Sequence, residues 1–219
     1  MNGLPTGATM RSTGPAGGLA VVCVDGGTGS LKPGDWSASI EWLVHRLAPR
    51  HPALAFHEVR YRVKSWRRLD MCIEDARAAL DEVAGASGGP VLMLGFSMGG
   101  GVSVAVAGHP AVTTVVGLAP WIPGRLPVEG MRGRRLAVIQ GSLDGTLPGI
   151  PGVRPSSSRA GYERVRALGV EAGYRLIRGA VHPIALRGPG GRLVPAPRAR
   201  AWARLVGDEL TRFREESQA

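Results

Sequence analysis

Six short apolar runs punctuate the chain: Leu19 to Val24, Ala53 to Val59, Val91 to Leu94, Val112 to Leu118, Leu136 to Gln140 and Tyr174 to Ile177. They are rich in β-branched residues and mostly apolar on both faces, the pattern of strands buried between two layers of helices. Between them the period changes. Trp36, Ile40, Leu43, Val44 and Leu47 recur at three- and four-residue spacing, as do Ile73, Ala76, Leu80 and Val83, so each segment predicts a helix with one apolar stripe. Arg159 to Leu168 predicts another, preceded by Pro155 and three serines able to cap it, and Arg198 to Phe213 a last one carrying Trp202, Leu205, Leu210 and Phe213. Alternation of strand and helix predicts an α/β domain, a mostly parallel sheet of about six strands flanked by helices. Met98 to Ala107 fits two templates: Val102, Val104 and Val106 alternate as in a strand, yet the all-apolar character also suits a buried helix.

The segment in front of it decides. Gly95-Phe96-Ser97-Met98-Gly99 directly follows the run Val91 to Leu94. A nucleophile on a sharp strand-to-helix turn needs small residues two places either side, which Gly95 and Gly99 supply. Gly99, Gly100 and Gly101 each weaken a helix by roughly 1 kcal/mol relative to Ala, so three in succession signal a need for close backbone approach. A Gly-rich chain produces such a pentapeptide by chance, and a buried turn serine is the alternative; its place at a strand-to-helix junction, with an acid and then a histidine downstream, favours the nucleophile.

On these residues the sequence resembles the α/β-hydrolase family, in particular its small lidless esterases. Gly141-Ser142-Leu143-Asp144-Gly145-Thr146-Leu147-Pro148 is similar to the family's acid loop, and Arg178-Gly179-Ala180-Val181-His182 to its histidine loop. The resemblance implies a triad of Ser97, Asp144 and His182: the imidazole takes the serine proton, and the carboxylate fixes its tautomer and stabilises its cation. It further implies an oxyanion hole of backbone N–H groups from Met98 and from the loop Asp25-Gly26-Gly27-Thr28-Gly29, with Gly27 as donor and Gly26 as the alternative. In that loop Asp25 stands where the family often has His, and Phe96 stands where His often precedes the nucleophile. Phe96 and Trp121 are expected to line the substrate pocket, a packed core position being the alternative for Trp121. Only 17 residues, Ala119 to Arg135, separate the fourth and fifth strands, with three Pro and three Gly, so no cap domain is expected. The resemblance covers roughly Leu19 to Phe213, and the expected division is a flexible segment over 1–18 followed by a hydrolase domain over 19–215.

The remaining histidines (His45, His51, His57, His109) and the carboxylates Asp25, Asp35, Asp70, Asp75, Asp81 and Asp208 read as caps, turns or solvated positions. Charge changes this picture little. The net +10 would suit nucleic acid, but Lys32 and Lys64 are the only lysines among 27 cationic side chains, and so strong an Arg bias points to base composition rather than to a binding surface. One local run, Arg60, Arg62, Lys64, Arg67 and Arg68, suits either an anionic substrate or a solvated loop. Cys23 and Cys72 lack metal-ligand spacing and read as reduced thiols; no metal, cofactor, membrane or nucleic-acid partner is expected. No run is long enough to span a bilayer and residues 1–18 lack the apolar core of a signal peptide, giving the expectation of a cytoplasmic protein. The expected activity is hydrolysis of a small-molecule carboxylic ester through an acyl-enzyme. An acyl thioester is the nearest alternative, and a non-catalytic binding protein of the same fold the next.

Overall fold

A computed structural model describes residues 1–146 and 151–218. Leu147 and Pro148, expected to close the acid loop, lie outside the described residues. In chain order the elements are β1 (Asn2–Gly3), β2 (Thr9–Thr13), β3 (Leu19–Val24), α1 (Ala38–Leu47), β4 (Leu54–Arg60), α2 (Leu69–Ser87), β5 (Val91–Phe96), α3 (Met98–Val106), β6 (Val112–Leu118), β7 (Arg135–Gly141), α4 (Pro155–Arg166), β8 (Ala172–Ile177), β9 (Ala185–Arg187), β10 (Leu193–Pro195) and α5 (Ala199–Glu216). Eight strands form one sheet in the order β1-β2-β4-β3-β5-β6-β7-β8, parallel from β4 to β8 and antiparallel at β1 and β2. All six expected strands are present.

Residues 1–18 depart from expectation. Instead of a flexible segment they supply β1 and β2, and β2 pairs with β4 from Thr9 opposite Arg60 to Thr13 opposite Phe56. The sequence Thr-Met-Arg-Ser-Thr hides this because only Met10 of the strand is deeply buried, as befits a strand near the sheet edge with one solvated face. Met98 to Val106 is helical, and the three glycines sit in its buried first turn. At α4 the serines do not cap: Pro155 occupies the first turn, where its fixed φ suits a helix start, and Ser156 to Ser158 fall inside.

Alternate residues of the central strands feed two cores. Val21, Leu92, Leu94, Val116 and Ile139 pack against α1 and α5 through Ile40, Leu43, Trp202, Leu210 and Phe213. Val22, Met93, Val115 and Val138 pack on the other face against α2, α3 and α4 through Leu80, Val102 and Val165. Period-two alternation thus places two helices on one face and three on the other. Between β6 and β7 the chain makes one short 3₁₀ turn, Glu129–Met131, and no α-helix. Among the described residues no helix is long and apolar enough to cross a membrane.

Candidate active site

Parallel strands end together, so the loops after β3, β5, β7 and β8 gather at one edge of the sheet. Ser97 joins β5 to α3 at φ 56° and ψ −118°, a conformation that costs a non-glycine residue about 1–3 kcal/mol. The turn is fastened on both sides. The Ser97 N–H donates to Leu118 O at 2.8 Å, while its carbonyl accepts from Gly100 N at 3.0 Å and Trp121 N at 2.9 Å. A Cβ on Gly95 would lie 2.2 Å from Gly99 O, and one on Gly99 2.4 Å from Val24 O. Both glycines are therefore required by contact, as the pentapeptide predicts.

Asp144 follows β7 and is fully buried. Its Oδ2 accepts from His182 Nδ1 at 2.8 Å and from Gln140 Nε2 at 3.0 Å, and its Oδ1 accepts from Val153 N–H at 2.8 Å. Backbone bonds tie the two loops together: Ser142 N donates to Ile177 O at 3.0 Å and Leu143 N to Ala180 O at 2.9 Å. The Phe96 ring packs on the imidazole, centroids 4.8 Å apart. Ser97 and His182 line one cavity of about 540 Å³ together with Gly27, Met98, Trp66, Trp121 and Val153. No hydrogen bond joins the serine hydroxyl to the imidazole among the described residues. The N–H groups of Met98, Gly26 and Gly27 likewise find no acceptor among them. A Cβ on Gly26 would stand 3.1 Å from Ser97 Cβ, and one on Gly27 2.5 Å from Met98 Sδ, so the glycine loop lies directly against the elbow. Trp121 is partly buried and faces the cavity, whereas Phe96 lines the space on the far side of His182.

Several participants escape a reading of the sequence. Gln140 follows the apolar run Leu136 to Ile139 of β7, and its Nε2 bridges Asp144 to Val153 O at 3.0 Å; a lone amide after a buried apolar run is the available signal. Gly152 abuts the carboxylate so closely that a Cβ there would lie 2.1 Å from Asp144 Oδ1, yet its Pro/Gly-rich surroundings give no hint of this. Trp66 belongs to the basic run and lines the cavity. The run divides: Arg67 and Arg68 are exposed, as a solvated loop would have them, while Arg62 and Lys64 are partly buried and held by carboxylates. Arg62 pairs with Glu74 and with buried Asp75, Arg68 pairs with Asp70 at 3.3 Å, and Lys64 joins buried Asp25 to Asp35, the latter at 2.7 Å. Asp25 and Asp75 thus correct their reading as caps or solvated positions. Burial alone would lower the Lys64 pKa, but Asp25 and Asp35 outweigh it and raise the value above that of an ordinary lysine, so the ammonium persists at neutral pH. Among the described residues no three His, Cys, Asp or Glu side chains cluster as metal ligands.

No protein-family model and no curated protein matches this sequence. Solved structures do. An α/β serine hydrolase homologue from Coxiella burnetii superposes with a TM-score of 0.67 at 18% identity, over 93% of this chain and 91% of that one. An α/β-hydrolase enzyme from a Medee basin deep-sea metagenome library gives 0.69 at 17% identity, over 94% and 92%. The chain has the α/β-hydrolase fold. A Pyrobaculum calidifontis esterase shares it, with a TM-score of 0.67 at 16% identity over 96% of this chain and 83% of that one. Identities this low carry the fold alone, and within the α/β-hydrolase fold the chemistry rests on the side chains described above.

Proposed function

We propose that the protein is a serine hydrolase of carboxylic esters in which Ser97 attacks, His182 serves as base and then acid, and Asp144 orients His182. One observation carries this reading: the residue held at positive φ on the strand-to-helix turn is a serine, and it shares a cavity with a histidine whose Nδ1 bonds a fully buried carboxylate. With Nδ1 engaged by Asp144, Nε2 is the nitrogen left to accept the hydroxyl proton. The serine–histidine bond absent from the free protein is one that commonly tightens only with substrate in place. As Oγ bonds to the acyl carbon, the ester C–O bond breaks and His182 returns the proton to the leaving oxygen; water then repeats the sequence on the acyl-enzyme. The carbonyl oxygen receives the Met98 and Gly27 N–H groups, both without an acceptor among the described residues. The α/β-hydrolase fold and the esterases among its structural neighbours agree with this assignment. Labelling of Ser97 by a fluorophosphonate, lost in His182→Ala, tests it; an unlabelled wild-type protein that turns over no ester would refute it.

In this reading the Lys64–Asp25 pair positions the oxyanion loop. Asp25 opens the loop, and its backbone carbonyl also accepts from Tyr61 Oη at 3.4 Å. Thr28 is stitched to the neighbouring segment through Trp66 N at 3.1 Å and through its own Oγ1 to Lys64 O at 2.9 Å. Lys64→Met leaves the Asp25 carboxylate buried without its cation, which costs on the order of 3 kcal/mol of stability. Displacing the Gly27 N–H by about 1 Å should lower kcat by up to about 10²-fold with KM little changed, since the donor acts on the transition state. Steady-state kinetics of Lys64→Met on an aryl ester read this directly; an unchanged kcat in a folded variant would remove the pair from the mechanism.

A further inference from the structure

A carboxylate can orient an imidazole only if groups other than that imidazole hold the carboxylate itself. Asp144 stands on the loop after β7, where its Oδ1 is held by the Val153 N–H at 2.8 Å. Oδ2, the oxygen that accepts from His182 Nδ1 at 2.8 Å, has one other donor among the described residues, Nε2 of Gln140 at 3.0 Å. Gln140 is fully buried on β7, between β6 and β8, where it pairs with Leu176 while Ile139 before it pairs with Leu118. The donor that fixes Oδ2 therefore belongs to the interior of the sheet, and the acid that it holds belongs to a loop.

The surroundings of the amide fix which way it points. Nε2 faces three acceptors, Asp144 Oδ2 and Val153 O at 3.0 Å each and Gly141 O at 3.3 Å, so an amide turned over would set its oxygen against all three. The other end of the amide gains nothing comparable. Oε1 is buried and has no partner among the described residues, and a buried acceptor left in that state lowers stability. An apolar side chain, like those of Leu136 to Ile139 before it, would avoid that loss. The position thus gives up stability to bring an N–H group to the carboxylate, a local conflict of the kind found where a residue serves the chemistry. We infer that Gln140 is a positioning residue for the hydrolysis, its side-chain amide locking the Asp144 carboxylate in the orientation from which it directs His182. The inference rests on the esterase reading above.

Gln140→Met keeps the length of the side chain and removes both of its N–H groups. On an aryl ester it should lower kcat by about ten- to a hundredfold, the order expected when a catalytic group loses its alignment, with KM within about twofold of the wild-type value. Fluorophosphonate labelling of Ser97 should slow by the same factor, and the imidazole Nδ1–H proton resonance should move upfield as its bond to Oδ2 loosens. Because Gln140 acts through Asp144, the same substitution made in Asp144→Asn should cost less than about twofold more, so that the two losses fail to add. A side chain that merely packs would lower Tm and leave these readings unmoved well below it. Gln140→Asn keeps an amide on the strand but falls one methylene short of Asp144; it should show the same loss, and it carries the test if Gln140→Met does not fold. Wild-type kcat in either folded variant, a loss confined to KM, or losses that add fully to that of Asp144→Asn overturns the assignment, and two variants that both fail to fold overturn it as well by making Gln140 a support of the fold. Ser97-dependent turnover and labelling of the wild-type protein leave the esterase reading standing in each of those cases; a wild-type protein that shows neither removes both.

Discussion

Ser97→Ala is expected to lower kcat for ester hydrolysis by about 10⁴- to 10⁶-fold, because no other hydroxyl is held in the elbow beside His182. The same position makes a second, opposite expectation about stability. The hydroxyl forms no hydrogen bond among the described residues, so its removal sacrifices none of their contacts, while the backbone remains at φ 56° whichever L-residue occupies it. Glycine reaches that conformation without steric cost. Ser97→Gly should therefore be as inactive as Ser97→Ala yet more stable than it by about 1 kcal/mol, net of the greater freedom of its unfolded chain, or about 2–4 °C in Tm for a chain of this size. A pair of melting curves and one set of progress curves decide both points. Retention of wild-type turnover in Ser97→Ala would end the assignment, and an alanine variant as stable as the glycine variant would show that the turn stores no strain.

How much of this could be read beforehand follows from what each element depends on. The six central strands and the elbow were legible because burial on both faces and the need for bare backbone at Gly95 and Gly99 leave direct marks in residue type. β2 was not, since a five-residue strand with a single deeply buried side chain, Met10, borrows its register from β4 rather than from its own pattern. Asp144 and His182 were singled out by the resemblance of the loops after β7 and β8 to the family's acid and histidine loops, and the fold joins the two side chains by a hydrogen bond. Their supports did not show: Gln140 reaches Asp144 through its side-chain amide, and Gly152 and Val153 are brought to it by the fold, neither of which sequence spacing reveals. The basic run shows the same limit from another side. Five cations within nine residues look like an anion site until the fold brings Asp25, Asp35, Asp70, Glu74 and Asp75 to three of them, Arg62, Lys64 and Arg68.

Asp144→Asn should cost kcat about 10⁴-fold, and the reason lies in the direction of three hydrogen bonds. Every hydrogen bond that the carboxylate makes among the described residues is with a donor: Nδ1–H of His182 and Nε2 of Gln140 at Oδ2, and the N–H of Val153 at Oδ1. An amide must place its NH₂ on one side. Facing His182 and Gln140, it meets two donors, and the pair with the imidazole survives only if the proton moves from Nδ1 to Nε2, which removes the base that Ser97 requires. Facing Val153, the amide keeps an acceptor toward the histidine but sets two N–H groups against each other in a fully buried site, at a cost of about 1–3 kcal/mol, and forfeits the negative charge that stabilises the imidazolium. Either orientation leaves the imidazole poorly suited to taking the serine proton, so the loss should appear in kcat with KM little altered and should be matched by slower fluorophosphonate labelling. A proton spectrum of the wild-type protein should show a far-downfield imidazole Nδ1–H resonance that is absent from the variant. A variant that kept more than about a tenth of the activity would contradict the role proposed for Asp144, since a general base held in the wrong tautomer has no comparable route to the alkoxide.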